Sequence, residues 1–557
     1  MPPAFTLGLD YGTNSVRALI VNTADGAEVG SAVFNYPHGD AGIVLDSREP
    51  DLARQHPDDY LRGIIETVRG ALAAAAAHPY FSADRIIGMG VDTTGSTPLP
   101  LDAVGLALAL QPDYENHPAA LAWLWKDHTG HAEAAEITRA AAAQHPEYLA
   151  KCGGTYSSEW FWAKLMRCAR VAPDVMAAAH TWVELADWIP AVLTGTTAPA
   201  ALKRCICAAG HKAMFHASWG GYPDAEFLGK LHPELARIRA TLPAESVHVG
   251  QSVGRLSAEW AALTGLPEGI PVAAGAFDAH LGGVGSGIRP GVLVKIIGTS
   301  TCDMAVAPLS MELPDIPGIC GIVPESILPG CHGLEAGQSA VGDIFNWFVK
   351  RMNAGTHEDL TAGAEKLRPG ESGLLSLDWH NGNRTVLVDQ RLSGLTLGQT
   401  LHTTPAEMYR SLVEATAFGA RAIVERFEEY GVEIRSVINC GGISLKNPMV
   451  MQIYADILNK PLEISRSSQT CALGAAMAGA VVAGKAAGGH DDFAAATAAM
   501  TSVMPKRFQP IPENVAVYNE LFQLYKQTHD AFGTTTTAGL GNVMKDLLRI
   551  RDRVRLG

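Results

Sequence analysis

A short pattern found once near the start of the chain and once near its middle constrains the fold more than any other feature. Two strand-like runs, Phe5–Asp10 and Ser15–Val21, flank Tyr11-Gly12-Thr13-Asn14 and read as a β-hairpin with a Gly-containing loop. Val292–Ile297 and Thr301–Val306 flank Gly298-Thr299-Ser300 in the same way, 286 residues downstream. That interval is about half the chain, and a solenoid would instead repeat many times at a short period, so a single recurrence predicts a duplicated domain. Length agrees, because 557 residues exceed the roughly 250–300 at which one hydrophobic core stops growing. The small residues and proline of Gly287-Ile288-Arg289-Pro290 are the expected junction, dividing the chain into 1–287 and 288–557.

Between the hairpins, strands alternate with helices, the pattern of an α/β fold with helix-covered sheets. Leu61, Ile64, Ile65, Val68 and Leu72 predict an amphipathic helix over 58–77. Ile86–Val91 reads as a buried strand ending at Asp92, and Pro271–Phe277 as another. Helical stripes follow at Val341, Ile344, Phe345 and Phe348, and at Val450, Ile453, Tyr454, Ile457 and Leu458. The strongest apolar run, Cys471–Gly484, is 14 residues, shorter than the roughly 20 a membrane helix needs. Its Ala and Gly content suits close helix packing inside a domain. Val515–Phe532 reads as a helix, followed by a Thr/Gly-rich break at Gly533–Gly541 and a basic last helix to which no function is given.

Charge and cysteine content exclude several function classes. With 57 acidic and 43 basic residues and a net charge of −14, the chain lacks the clustered cations of a nucleic-acid surface or an electrostatic membrane anchor. The N-terminus has no secretory pattern. Nine irregularly spaced cysteines fit reduced thiols, hence a cytoplasmic protein, and a homodimer is compatible with the sequence.

Several segments carry chemistry. Gly12 and Gly298 let the backbone turn tightly and approach a ligand, offering N–H groups to phosphate, with Thr13 and Thr299 adding hydroxyls. One such turn is most simply a plain hairpin, whereas two equivalent turns, one per half, favour a phosphate site between them. A carboxylate beside a phosphate loop is repulsive without a cation, so Asp10, just before the first turn, is a candidate for orienting Mg2+ through water; Ile296 takes the equivalent place in the second copy. Asp278 follows a strand and opens a helix, where it reads both as an N-cap and as a base that orients a sugar hydroxyl and accepts its proton late. Cys440-Gly441-Gly442 follows a strand and precedes Asn447-Pro448, a cap signal, so this turn is either a simple loop or a place where a base or ribose lies against backbone. Cys205, Cys207, His211 and His216 have metal-ligand character but lack Cys-x-x-Cys spacing. Lys212 lies in that stretch, as a solvated lysine or a cation for a hydroxyl or phosphate. Trp125-Lys126-Asp127-His128 joins an aromatic platform to polar groups suited to a sugar, although Trp125 also reads as core. No Gly-x-x-x-x-Gly-Lys-Ser/Thr loop is present, which disfavours a P-loop kinase.

Together the segments LGLDYGTNSVRA, GVDTTGSTP, AWLWKDHT, GGTYSSEWFWAK, WVELADWIP, AAGHKAM, GAFDAHLGGVGSG, IGTSTCDM, GLEAGQSAVGDIFNWF, DWHNGNRT, EATAFGAR and GGISLKNPMVMQIYAD resemble the FGGY carbohydrate kinases. WKDHT, GTYSSEWFWAK and DWHNGNRT resemble the ribulokinase branch of that family. The resemblance implies a pair of ribonuclease-H-like domains of the actin/hexokinase/heat-shock-chaperone ATPase superfamily, with the active site in a central cleft. It implies phosphorylation of L-ribulose by ATP with Mg2+, as in arabinose use. The nearest alternative is another FGGY substrate, such as D-ribulose, ribitol or D-xylulose; a rival from another class is a nucleotide-driven binding protein with no sugar chemistry. By the same resemblance Asp10, Gly12, Thr13 and Asn14 face phosphate and metal, Gly298, Thr299 and Ser300 face phosphate from the other side, and Asp278 is the base. Lys212 and Glu335 hold the sugar, with Trp125 and Thr94-Gly95-Ser96 lining its pocket, and Gly441, Gly442 and Asn447 line the adenosine site. The Cys205-x-Cys207 pair lies outside the family pattern.

Overall fold

The duplication is visible in the sheets. A computed structural model describes residues 3–534 together with 540, 544 and 545. The first half is built on β1 (Phe5–Tyr11), β2 (Ser15–Asn22), β3 (Glu28–Asn35), β4 (Ile86–Thr93) and β5 (Pro271–Ala273), and the second on β6 (Val292–Ile297), β7 (Thr301–Pro308), β8 (Cys331–Ala336), β9 (Ser436–Cys440) and β10 (Leu462–Ile464). The spatial orders are β3-β2-β1-β4-β5 and β8-β7-β6-β9-β10, the same topology twice. Each half gains one edge strand of its own, Ser252–Arg255 beyond β5 and Gly321–Pro324 beyond β8.

In each half the hairpin is antiparallel and its first strand runs parallel to the strand that follows the crossover. Asp10 pairs across β1 with Arg17 on β2 and with Asp92 on β4. The corresponding position of the second sheet, Ile296, pairs with Cys302 and with Cys440. The halves therefore share a frame, but the carboxylates stand in the first alone. β1 is almost wholly buried although its sequence alternates: Phe5, Leu7, Leu9 and Tyr11 pack into the core on one face, while small residues such as Gly8 on the other let a helix approach.

One covering helix is α1 (Pro57–Ala75), which starts with Pro at its first turn and buries Ile64 and Val68. The other comes from the second half. Helix α7 (Thr470–Ala483) is the apolar run noted above, and beyond the expected packing inside its own half, against Phe493–Met500, it lies across the first half's sheet and against α3 (Asp278–Gly285). Glycines permit this approach: a Cβ on Gly8 would lie 1.9 Å from Ala472 O, and one on Gly474 would lie 1.9 Å from Leu281 O. An apolar helix without a polar face must be buried on all sides, and here two domains share the task.

Three boundaries differ from expectation. The run Pro271–Phe277 is two short strands separated at Ala274–Gly275, where Gly275 presses on Ala186 O. Val341 precedes the short helix α4 (Gly342–Asn346), and the chain then widens into an i→i+5 turn over Trp347–Arg351, with Phe348 still buried. Gly442 begins its own short helix, α5 (Gly442–Lys446), before Asn447 caps α6 (Pro448–Leu458). The basic segment after Thr534 lies almost entirely outside the described residues.

Candidate active site

The two Gly-Thr turns close differently. Gly12 N donates to Ser15 O at 2.9 Å and Gly298 N to Ser300 O at 2.9 Å, so the first loop is one residue longer. Neither glycine has a positive φ. What the absent side chains leave is an open face: a Cβ on Gly12 would meet nothing nearer than Ser15 O at 3.4 Å, and on Gly298 nothing nearer than Ser300 O at 3.9 Å. Each turn is braced from behind. Trp125 Nε1 donates to Thr13 Oγ1 at 3.0 Å and Gln55 Nε2 to Thr13 O at 2.7 Å, while Asn14 Nδ2 donates to Ala41 O at 2.7 Å. Behind the second turn, the backbone N–H groups of Val341 and Asp343 both donate to Thr299 O, at 2.8 and 3.1 Å.

Three carboxylates gather beside the first turn. Asp10 and Asp92 are lateral neighbours on β1 and β4, and Asp278 leaves the short strand Ala276–Phe277 that pairs with the end of β4. Asp278 is the first residue of α3, and Phe277 holds the cap position, which corrects the N-cap reading: its carboxylate accepts instead from the adjacent Ala279 N at 2.6 Å. Burial, then the charge of Asp10, pushes Asp278 up to about 6. Burial also raises Asp10, and it raises Asp92 well above the ordinary carboxylate value, with Asp10 and Asp278 adding repulsion. Both oxygens of Asp92 are buried without a hydrogen-bond donor, and the nearest cation of the group, Arg17, stands 3.7 Å from Asp10. Three acids against one arginine, with orphaned oxygens, supply the oxygen chemistry a hard divalent cation takes, although among the described residues the three do not close to the spacing of a direct three-ligand site, which suits contact through water. Sequence reasoning gave Asp92 no role; its position at a strand end beside Asp10 becomes informative only once the two strands are paired.

A cavity of about 700 Å3 contains Lys212, Glu335, Trp160, Glu159 and Arg384. Lys212 comes from α2 (Ile206–Ala213) and Glu335 from β8, so the pair bridges the two halves, with Lys212 Nζ 3.3 Å from Glu335 Oε1. Burial opposes ionisation of Glu335, yet Lys212, His280 and His211 hold its carboxyl well below the usual range. His280 Nε2 is 3.2 Å from Glu335 Oε2, and its Nδ1 meets Cys207 Sγ at 2.9 Å. Burial opposes that charge too, but Cys207 and Glu335 push His280 up to about 10. Glu335 is near enough for its charge to help raise Asp278.

Cys205, Cys207, His211 and His216 do not converge, in keeping with their lack of Cys-x-x-Cys spacing. Cys205 caps α2, Cys207 holds His280, His211 Nε2 meets Ser326 Oγ at 2.9 Å, and His216 bonds Ser218. The histidines that do face one carboxylate are His211 and His280 on Glu335. Trp125 and Thr94-Gly95-Ser96 do not line the cavity that holds Lys212. Thr94 N donates to Tyr11 O at 2.9 Å, Gly95 abuts the Phe277 ring, and Ser96 Oγ is bonded to Glu184 while its carbonyl accepts from Lys164 Nζ at 2.8 Å.

A second cavity of about 710 Å3 opens on the other side of the second turn, lined by Gly298, Gly342, Phe345, Tyr409, Gly442 and Asn447 among others. Gly441 sits behind it with φ +98, where a Cβ would lie 2.3 Å from Ile297 O. Asn447 accepts from Val450 N at 3.2 Å and donates to Thr361 Oγ1 at 3.3 Å, fixing the rim. An apolar slot ending at a glycine turn suits a flat base with its phosphates directed toward Gly298.

Residues 5–285 match the N-terminal domain, and residues 293–483 the C-terminal domain, of the FGGY family of carbohydrate kinases. Along the whole chain the sequence is similar to ribulokinases: 42% identity to that of Shouchella clausii (99% of each chain covered) and 41% to that of Mycolicibacterium smegmatis (95% of this chain, 94% of the other). Among solved structures the fold is similar to a xylulose kinase from Rhodospirillum rubrum, with TM-score 0.78, 24% identity and coverage of 95% and 99%. It is also similar to Plasmodium falciparum glycerol kinase with ADP, with TM-score 0.75, 15% identity and coverage of 94% and 98%.

Proposed function

The chain belongs to the FGGY family of carbohydrate kinases and is a sugar phosphotransferase, and from that premise we propose that it transfers the γ-phosphoryl group of ATP to the terminal hydroxyl of L-ribulose, giving L-ribulose 5-phosphate and ADP. The observation that carries this reading is the buried Lys212–Glu335 pair beside Asp278, in a chain 42% identical from end to end to a ribulokinase. Lys212 donates to sugar hydroxyls and Glu335, kept ionised by its neighbours, accepts from them. Trp125, bonded to Thr13, and Thr94, whose N–H holds Tyr11 O, brace the first turn from outside the Lys212 cavity. Asp278 orients the attacking hydroxyl and takes its proton late, as the new O–P bond forms and the bond from the γ-phosphorus to the ADP oxygen breaks. The turn N–H groups other than those of Gly12 and Gly298, which close the loops, and the hydroxyls of Thr13, Thr299 and Ser300, with Asn14, face the phosphates, while Gly442 and Asn447 line the adenosine slot with Gly441 behind it.

Asp10, through water, and its neighbour Asp92 are the residues that would hold Mg2+, which supplies neutralisation of phosphate charge when bound. Residues 1–287 and 288–557 act as the two closing bodies, with the hinge near Gly287-Ile288-Arg289-Pro290, and closure excludes water from the reacting phosphoryl group. The nine unpaired cysteines favour a reducing, cytoplasmic setting. Assaying L-ribulose, D-ribulose, D-xylulose, ribitol and glycerol with ATP tests the assignment: L-ribulose is expected to give the highest kcat/KM, and equal or better turnover of xylulose or glycerol would overturn it.

A further inference from the structure

The Lys212–Glu335 cavity holds a second cation that the sugar reading does not use. Arg384 lines the same space. Its Nη2 donates to Thr301 O at 2.5 Å, and Thr301 is the residue immediately after the second Gly-Thr turn. The guanidinium lies over Gly337, just past the end of β8: a Cβ there would stand 2.4 Å from Arg384 Nη2. The neighbouring Thr385 fixes the loop, its Oγ1 accepting from Gly337 N at 3.2 Å. Arg384 thus occupies the seam between the strand that carries Glu335 and the strand that leaves the phosphate turn.

Its charge has no partner in contact, the carboxylates of Glu159 and Glu335 acting on it only from beyond ion-pair distance. Among the described residues Arg384 makes no ion pair, and its Nε is buried with no hydrogen-bond partner. Glu335 already has Lys212 at 3.3 Å and His280 at 3.2 Å. A neutral sugar gives no reason to hold a further unpaired guanidinium at this seam. A phosphoryl group does, because its oxygens match the planar fork of donors.

We propose that Arg384 binds the phosphoryl group in transfer, gripping its oxygens as they pass from the nucleotide side to the sugar side, and then the phosphate monoester of the sugar product. The inference rests on the sugar-kinase reading above. Calorimetry of the full-length protein with L-ribulose alone and with L-ribulose 5-phosphate alone, beside steady-state kinetics, tests it on Arg384→Met and Arg384→Lys. Expected for Arg384→Met are sugar affinity within about 3-fold of wild type, product affinity at least 10-fold weaker and kcat at least 100-fold lower. Arg384→Lys, which keeps the charge but loses the fork, should show the same split at smaller size and covers the case in which the methionine variant does not fold. Equal losses of sugar and product affinity, or an unchanged kcat, would overturn the proposal. Should the wild type prefer another sugar, the same measurements with that sugar and its phosphate leave the test of Arg384 standing apart from the test of substrate identity.

Discussion

At the scale of single residues, Asp278 carries the sharpest consequence. Burial and the charge of Asp10 hold its pKa near 6, so a base at this position is half protonated at that pH in the free enzyme. The expected profile of kcat/KM rises about tenfold per pH unit up to about 6 and then levels. Asp278→Asn should lose that limb together with about 10²- to 10⁴-fold in rate. Stability runs the other way. A carboxyl whose folded pKa lies above its ordinary value of 3.8 favours the folded state when protonated; that contribution is intact below about pH 4 and is lost as pH rises through 6. Asp278→Asn should therefore raise the thermal midpoint at pH 8, with the gain vanishing by about pH 4. An activity limb far from pH 6, or a stabilisation that grows toward acid, would refute the assignment.

At the scale of elements, the paired turns separate two uses of glycine. Gly12 and Gly298 face open space, so Gly12→Ala and Gly298→Ala should leave the thermal midpoint within about 2 °C of wild type while raising the KM for ATP or lowering kcat at least tenfold. Gly441 is different: φ +98 and the press of Ile297 O make Gly441→Ala a folding defect of roughly 1–3 kcal/mol, seen as a lower denaturant midpoint before any kinetics are run. If Gly12→Ala and Gly441→Ala destabilised equally, the distinction would fail. Both turns were legible in the sequence because a hairpin is local: its strands and loop lie within some 20 consecutive residues. The same holds for Asn447-Pro448, a cap written in adjacent letters. Asp92 and Arg384 were not legible as site residues, since their meaning comes from neighbours on other strands, Asp10 on β1 and Thr301 on β7. The residues around Cys205 show the converse, because closeness along the chain does not aim side chains at one point: Cys205 caps α2, Cys207 and His211 lie on it, and His216 lies beyond its end.

For the whole molecule, α7 matters most. Sequence duplication suggests two separable bodies, yet the helix that completes the first sheet's cover belongs to the second half, and its glycines and those of β1, β4 and α3 bring backbones into direct contact. Gly90 presses on Ala475 O and Gly285 on Thr470 O, each such that a Cβ would lie within 2.1 Å. The closure proposed above would therefore turn about this contact without opening it, the Lys212–Glu335 side moving while the α3–α7 side stays packed. It follows that fragments 1–287 and 288–557 should not fold alone: the second would expose the apolar faces of α7 that pack on β1, β4 and α3, and the first would expose the face of β1 and β4 that α7 covers. Co-expressed, the two fragments should assemble into a soluble complex with kinase activity, whereas each alone should aggregate. A lone fragment that stayed soluble, with a cooperative thermal transition, would mean that α7 is dispensable to both cores and that the pivot lies elsewhere.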